Sequence, residues 1–385
     1  MNFDLTDAQI AIRDTARDFA QREIGPRAGE WDRSSTFPRD VIAKLGKMGF
    51  LGIVVPERWG GAGADYTSQA LVIEELARHC GSVAITVASH NSLCGGHIAL
   101  AGTDAQKERF LTRLARGEAL GAWGLTEPDS GSDAGAARTT AVRRGDRWVL
   151  TGTKMFITQG SVAGIYVILA STDAAKKQRG LTAFVIEAGT PGLRPGRILE
   201  KLGLHASDTT EVILEEVEVP DDQRLGPVDG GFYDTLKILD RGRIGIASMA
   251  IGLGRGALEE STRYAREREQ FGRPIGDNQA IKWMLADSAM ELDAARLLVR
   301  RAAWMQDRGM KTTRESSMAK LFAAPAAMRA CWKAIQIHGG YGYTKDFPVE
   351  RYWRDCKICE IGEGTNEINR MVVARDLLGR VIADV

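Results

Sequence analysis

The order in which hydrophobic periodicity changes along the chain constrains the fold most. Up to about residue 120 apolar residues recur at helical spacing, then short runs rich in β-branched and aromatic residues follow to about 228, and helical periodicity returns beyond that point. This order excludes the alternating strand–helix pattern of a doubly wound parallel sheet and predicts an α+β protein. Three domains are expected: an N-terminal helical domain (1–120), a middle β-sheet or β-barrel domain (121–228) and a C-terminal helical bundle (229–385). A chain of 385 residues has ample material for a buried cofactor site.

Local signals support each part. Thr6-x-x-Gln9 is a capping box, and Ile12, Ala16 and Phe19 follow at helical spacing until Gly25-Pro26, where the first helix is expected to end. A second helix is expected behind Pro38, stopped by Gly49. Gly145-Asp146 reads as a hairpin turn between two strands, and Pro220 followed by Asp221-Asp222 closes the last one. In the third part, Ile281, Met284, Leu285, Leu292, Ala295 and Val299 form one helical stripe, and "MAKLFAAPAAMRACWKAIQIH" supplies another, interrupted by Pro325. Gly245, Gly252, Gly254 and Gly256 cost helix propensity, which predicts close approach to another helix or a ligand.

Lysine plus arginine (51) nearly balance aspartate plus glutamate (50), so neither nucleic acid nor an anionic membrane is expected as the main partner. The start of the sequence, "MNFDLTDAQ", reads as neither a secretory nor a mitochondrial presequence, and no apolar run is long enough for a spanning helix. A cytoplasmic protein or a mature mitochondrial matrix form is expected. The five cysteines suit reduced thiols, and Cys356-x-x-Cys359 lacks the further ligands of a metal site, so no metal is expected.

Three tracts combine turn residues with hydroxyl and aromatic side chains: "WGLTEPDSGSDAG", "KMFITQG" and "QIHGGYGYTKDFPVERYWRD". Loops of this type offer amides and hydroxyls to a planar heteroaromatic ring or a phosphate. Taken singly, Trp123 and Phe156 are ordinary core aromatics and Thr126, Ser132 and Thr158 ordinary turn residues. Likewise Glu363, between Gly362 and Gly364 in "EIGEGTNEINR", reads alone as a solvated turn carboxylate.

Together, these tracts resemble the acyl-CoA dehydrogenase family, in matching order and over essentially the whole chain. "WGLTEPDSGSD" resembles its flavin segment, "REREQFGRPIGDNQAI" the segment that completes the flavin site of a neighbouring subunit, and "IGEGTNEINR" its terminal catalytic signature. The resemblance implies a helical domain, a β domain and a C-terminal four-helix bundle that assembles tetramers. It implies FAD as cofactor, with Trp123, Leu125, Thr126, Phe156, Ile157 and Thr158 about the isoalloxazine ring. Phe156 stands where many members carry Trp, so it keeps the stacking face and loses the indole donor. Arg268, Gln270, Phe271, Asn278 and Gln279 match the diphosphate and adenine end, with Gln336, Ile337, His338, Gly339 and Gly340; Thr365, Asn366 and Glu367 start a helix beside the cofactor. Ser132 matches a residue that meets both the cofactor and the thioester arm of the acyl-CoA substrate, and Asp240 and Arg243 match positions near CoA. Read on their own, these last two are a helix-surface pair.

The implied reaction forms a carbon–carbon double bond next to a thioester, so a base must remove the α-proton while a flavin takes the β-hydride. The family uses two base positions, one in the terminal signature and one two residues after the Asp of a segment like "LDRGR". Here the second is Gly242, which leaves Glu363 as the matching base, with Gly364 giving room to the substrate. "ASHNSLCGG" around Asn91 resembles the short-chain branch. The expectation is dehydrogenation of a short straight-chain, butyryl-like acyl-CoA with electrons passed to electron-transfer flavoprotein. A flavin oxidase, or a non-catalytic flavin- or acyl-CoA-binding member, stands as the alternative.

Overall fold

The computed structural model describes residues 4–379; residues 1–3 and 380–385, at the outer ends of the expected first and third domains, lie outside the described residues. Helix α1 (Asp7–Phe19) starts at the capping box, where the Thr6 hydroxyl accepts from the Gln9 N–H at 3.2 Å and the Gln9 side chain accepts from the Thr6 N–H at 3.1 Å. Gly25-Pro26 does not end the helical run. A wide π turn (Ala20–Ile24) leads into α2 (Gly25–Ser34), and Pro26 falls in its first turn, where a missing N–H costs little. Next come α3 (Arg39–Lys47), behind Pro38, and α4 (Tyr66–Ala77), capped by Asp65. Helix α5 (Gly81–Ser89) passes through a second π turn (His90–Gly95) into α6 (Gly96–Ala101), followed by the short α7 (Asp104–Gln106) and α8 (Thr112–Ala115). Asn91 lies in that π turn, its amide donating to Phe50 O (2.9 Å) and Val87 O (3.0 Å) and accepting from the Ile53 N–H (3.2 Å).

The middle part is one eight-stranded sheet: β1 (Gly121–Gly124), β2 (Thr140–Arg144), β3 (Arg147–Thr158), β4 (Ile165–Ser171), β5 (Leu181–Glu187), β6 (Leu193–Ile198), β7 (Thr209–Pro220) and β8 (Arg224–Leu225). The order is β6-β7-β3-β2-β4-β5-β8, with β1 parallel to β4. Gly145-Asp146 makes the two-residue turn from β2 to β3, with Gly145 at φ +65°. On β4, Ile165, Val167 and Leu169 pack with Leu111 and Leu114 of the helical part, while Tyr166, Ile168 and Ala170 pack with Trp148, Phe184 and Val212 on the other face. Cover on both faces explains why β4 and β5 read as unbroken apolar runs without alternation.

The third part comprises α9 (Gly231–Glu267), a small hairpin of β9 (Glu269–Gln270) and β10 (Arg273–Pro274), then α10 (Gln279–Asp307), α11 (Thr313–His338), α12 (Val349–Cys356) and α13 (Asn366–Leu378). Helices α9, α10 and α11 pack on one another, and α13 packs on α11. Pro325 does not interrupt α11: the helix is continuous, and buried Ala323, Ala324, Ala326 and Ala327 around the proline keep its contacts. The glycines of α9 serve close helix approach. A Cβ on Gly252 would strike Glu74 O of α4, one on Gly256 would strike Arg78 O, and one on Gly254 would press on Ala327 of α11.

The N-terminal helices and the bundle share one core, and a charged seam reinforces it, with Arg255 bonded to Glu74 (3.0 Å) and Glu75 (2.9 Å) and Arg296 to Glu74 (2.9 Å). Cys331, Cys356 and Cys359 are free, buried thiols in the same core. Among the described residues no helix is long and apolar enough to cross a membrane, and no cluster of metal-ligating side chains is present.

Candidate active site

Glu363 follows a turn that ends α12 and precedes the capped start of α13, where Thr365 accepts from the Ile368 N–H at 3.3 Å. It is one of few non-glycine residues at positive φ (57°), and Gly364 follows at φ 89°. Two consecutive left-handed residues turn the carboxylate inward, to α9, in a conformation that costs a side chain-bearing residue on the order of 1 kcal/mol. Its Oε2 is sealed from solvent and has no hydrogen-bond partner among the described residues. Burial pushes the carboxyl up to about 8, against the opposing pull of Arg243 and Lys320.

Gly242 forms the facing wall. A Cβ built there would fall inside the Glu363 carboxylate group. The two base positions of the resemblance therefore exclude one another sterically in this chain: any side chain at 242 must displace the one at 363.

The segment is held from behind. Arg243, buried, bonds Asp240 Oδ1 (2.9 Å) and Ser317 Oγ (3.2 Å) and reaches Glu363 O at 3.5 Å, while the Thr313 hydroxyl donates to Asp240 Oδ2 at 2.6 Å. Asp240 and Arg243 thus form a part-buried bracket against α11, not a surface pair. Lys320 of α11, fully buried, donates to Gly364 O (2.8 Å) and Asn366 Oδ1 (3.1 Å), and Asn369 Nδ2 donates to the same Gly364 O at 2.8 Å. The helix-start residues Thr365 and Asn366 are drawn into this cluster, whereas Glu367 points to solvent.

A second group of residues gathers where β1 runs into its loop beside the end of β3. The two are joined by the Met155 N–H donating to Thr126 O at 2.8 Å. Trp123 and Leu125 are buried, and the Trp123 indole N–H already donates to His97 Nδ1 at 3.1 Å. Between Lys154 and Ile157 the β3–β7 register slips by a bulge, and Phe156 emerges at φ 60° with 62% of its surface exposed, followed by buried Ile157 and part-buried Thr158. Such a bulge re-aims a side chain. Ser132 is exposed in the loop that leaves β1. That loop is anchored by Glu127, which accepts from Lys154 Nζ (2.6 Å), Arg138 N (2.6 Å) and Thr139 N (3.0 Å). Burial opposes both charges, yet their attraction holds the Glu127 carboxyl below its ordinary range.

A third group surrounds the hairpin. Phe271 at its tip is fully exposed, and Arg268 and Gln270 are exposed beside it. The Arg268 guanidinium lies over Tyr341, 5.8 Å from the ring centroid. Asn278 stands just before α10, its side-chain amide donating to Ile275 O at 3.0 Å, with Gln279 the first residue of the helix. His338, buried, stacks on Tyr264 with centroids 4.2 Å apart and bonds Ala334 O at 2.8 Å; Ile337 is buried beside it and Gln336 exposed. Gly339 and Gly340 open onto free space. Within one chain the second and third groups make no hydrogen bond to each other among the described residues.

Three family models match the chain in series: the acyl-CoA dehydrogenase N-terminal domain over residues 6–118, the middle domain over 122–217 and the C-terminal domain over 229–378. The chain belongs to the acyl-CoA dehydrogenase family. The short-chain specific acyl-CoA dehydrogenase of Clostridium acetobutylicum is 44% identical over 374 residues, 97% of this chain and 99% of the relative. The solved structure of butyryl-CoA dehydrogenase from Megasphaera elsdenii superposes with a TM-score of 0.97 at 42% identity, covering 98% of this chain and all of that one (100%). A chain from the structure named for the electron transferring flavoprotein of Acidaminococcus fermentans gives 0.98 at 44% identity, with 98% and 100% covered. This member of the family is an oxidoreductase with FAD as cofactor. Its own residues suit that cofactor: an exposed aromatic face at Phe156, hydroxyls at Thr126 and Thr158, and an exposed guanidinium at Arg268 beside the open Gly339-Gly340 turn.

Sequence reasoning missed Lys320, Lys154, Glu127 and His97. A signal for Lys320 existed: in "SSMAKLFAAPAA" its neighbours at −4, +3, +4 and +7 (Ser316, Ala323, Ala324 and Ala327) are small and helix-facing, so a lysine there must be buried and must have partners.

Proposed function

We propose that the chain dehydrogenates a short straight-chain acyl-CoA to its trans-2-enoyl thioester, with Glu363 as the base, and passes the electrons to electron-transfer flavoprotein. The observation that carries this reading is the Glu363 carboxylate, whose buried Oε2 has no hydrogen-bond partner among the described residues, on a strained turn against Gly242. A carboxyl raised to about 8 accepts a proton from a weak carbon acid more readily than an exposed glutamate would. The Glu363 N–H donates to no backbone carbonyl among the described residues and is the donor we assign to the thioester oxygen. Gly364 supplies clearance for the thioester, and Asp240 and Arg243 hold the floor on which the base stands. Ser132, exposed on the Glu127-anchored loop, meets the thioester arm.

FAD, when bound, supplies the two-electron acceptor for the β-hydride. We assign Trp123, Leu125, Thr126, Phe156, Ile157 and Thr158 to its ring, Thr365, Asn366 and Glu367 to the helix start beside it, and Gln336 to Gly340 to its far end. Arg268, Gln270, Phe271, Asn278 and Gln279 serve the cofactor of a neighbouring copy: the hairpin projects from the bundle with Phe271 uncovered. A homotetramer supplies that neighbour. On α10, Trp283, Met290, Leu297 and Trp304 recur every seven residues and are exposed, an apolar seam suited to a helix of a second copy.

The short-chain assignment is supported by the Clostridium and Megasphaera relatives, and the acceptor by the Acidaminococcus structure. Anaerobic titration of the FAD-loaded protein with straight, branched and aromatic acyl-CoA thioesters tests both substrate and reaction. Butyryl-CoA is expected to bleach the flavin most completely; preferential bleaching by an aromatic thioester would overturn the assignment.

A further inference from the structure

We propose that Lys320 is a positioning residue for the base: its ammonium pins the Gly364 carbonyl, fixing the left-handed Glu363-Gly364 turn, and faces the Glu363 carboxylate as its counter-charge. This rests on the assignment of Glu363 as base. The geometry comes from three elements. Lys320 on α11 donates to Gly364 O (2.8 Å) and Asn366 Oδ1 (3.1 Å), Asn369 on α13 donates to the same Gly364 O (2.8 Å), and Arg243 on α9 approaches Glu363 O (3.5 Å). The carbonyls on either side of the strained peptide are therefore held by donors from different helices, and the turn cannot relax without breaking several bonds at once.

The two cations differ in what neutralises them. Arg243 is paired with Asp240 at 2.9 Å, while the hydrogen bonds of Lys320 among the described residues go to neutral oxygens. An ammonium carries three donors, and two are used among the described residues. A fully buried ammonium without a bonded carboxylate is costly, so a reason to retain it is needed. The charged or titratable groups that face it are Cys359, Glu363, Arg243 and Glu360. Of the two carboxylates, Glu363 is the one whose turn Lys320 also holds. When Glu363 carries its charge, ready to accept a proton, Lys320 lowers the cost of that charge; the contact is electrostatic, since Glu363 Oε2 has no hydrogen bond.

The test uses FAD-loaded Lys320→Met, Asn369→Ala and Glu363→Gln beside wild type, with anaerobic flavin reduction by butyryl-CoA followed across pH. For Lys320→Met the expected result is a fall of about 10- to 100-fold in the limiting reduction rate, little change in substrate affinity, and a rise of about one pH unit in the midpoint of the acidic limb. Asn369→Ala, which removes a clamp without removing a charge, is expected to slow reduction without moving the midpoint, and carries the test if Lys320→Met does not fold. An unchanged rate and midpoint in folded Lys320→Met, or an unchanged rate in Asn369→Ala when that variant carries the test, overturns the proposal. Glu363→Gln separates the two claims: if it reduces flavin normally, the base assignment fails, whereas an inert Glu363→Gln beside an unaffected Lys320→Met defeats the Lys320 role alone.

Discussion

Glu363 is held in a backbone conformation and in surroundings that both work against folding, and the consequences can be measured apart from catalysis. Its carboxyl titrates near 4.5 when unfolded and at about 8 when folded, so across that window the folded state binds more protons than the unfolded one. Stability contributed by this residue is present below the lower value and declines as pH rises towards the upper. Glu363→Gln, which cannot ionise, should therefore melt at higher temperature than wild type, with an advantage that grows from pH 5 to pH 8 and reaches on the order of 1–3 kcal/mol; denaturant melts at several pH values check this. Gly242→Ala acts on the same contact from the other side. Its methyl group would displace the carboxylate, and a misplacement of about 1 Å suffices to slow flavin reduction roughly 100-fold; anaerobic reduction kinetics, with FAD content as the control for folding, give the answer.

At the level of elements, the loop between β1 and β2 depends on one buried pair. Lys154→Met would leave the Glu127 carboxylate without its counter-charge in a position that is 5% exposed, with only backbone donors remaining, at a cost of about 3–5 kcal/mol. The expected outcome is a lower melting temperature together with weaker FAD retention, because Thr126 and Ser132 both lie on the loop that Glu127 secures; calorimetry and flavin release read the two effects. This pair also shows where sequence reading stops. Strand β3 was legible as a strand, but its bulge between Lys154 and Ile157 breaks the alternation that would have shown which side chains face inward. The edge strands β6 and β8 and the short β1 carry little apolar signal of their own, since pairing with β7, β5 and β4 defines them. Gly25-Pro26 and Pro325 illustrate the converse: both look like helix breaks locally, and both are absorbed, one by a π turn and the other by buried alanines. Glu363 was legible by its motif alone. Its burial, the collision with Gly242 and the support from Lys320 depend on helices that meet only in the folded chain.

For the whole molecule, the bundle presents what a single chain leaves uncovered: the hairpin tip at Phe271 and the heptad-spaced seam of Trp283, Met290, Leu297 and Trp304. If these meet other copies, Met290→Glu with Leu297→Glu should shift the protein to smaller species in light scattering, with loss of FAD in the same fractions, because Arg268 and Gln270 would no longer reach a neighbour's cofactor. Phe271→Ser should weaken FAD retention with a smaller effect on assembly. An unchanged tetramer in the double variant, or a wild-type monomer that holds FAD fully, would contradict this arrangement.

The proposed reaction depends on Glu363 taking the α-proton. Anaerobic stopped-flow mixing of FAD-loaded wild type and Glu363→Gln with butyryl-CoA tests it most directly. In wild type the second-order rate of flavin bleaching is expected to rise with pH through about 8, and in the variant bleaching is expected to be slower by about 1,000-fold or more with FAD fully retained. Bleaching by Glu363→Gln within about tenfold of wild type would contradict it.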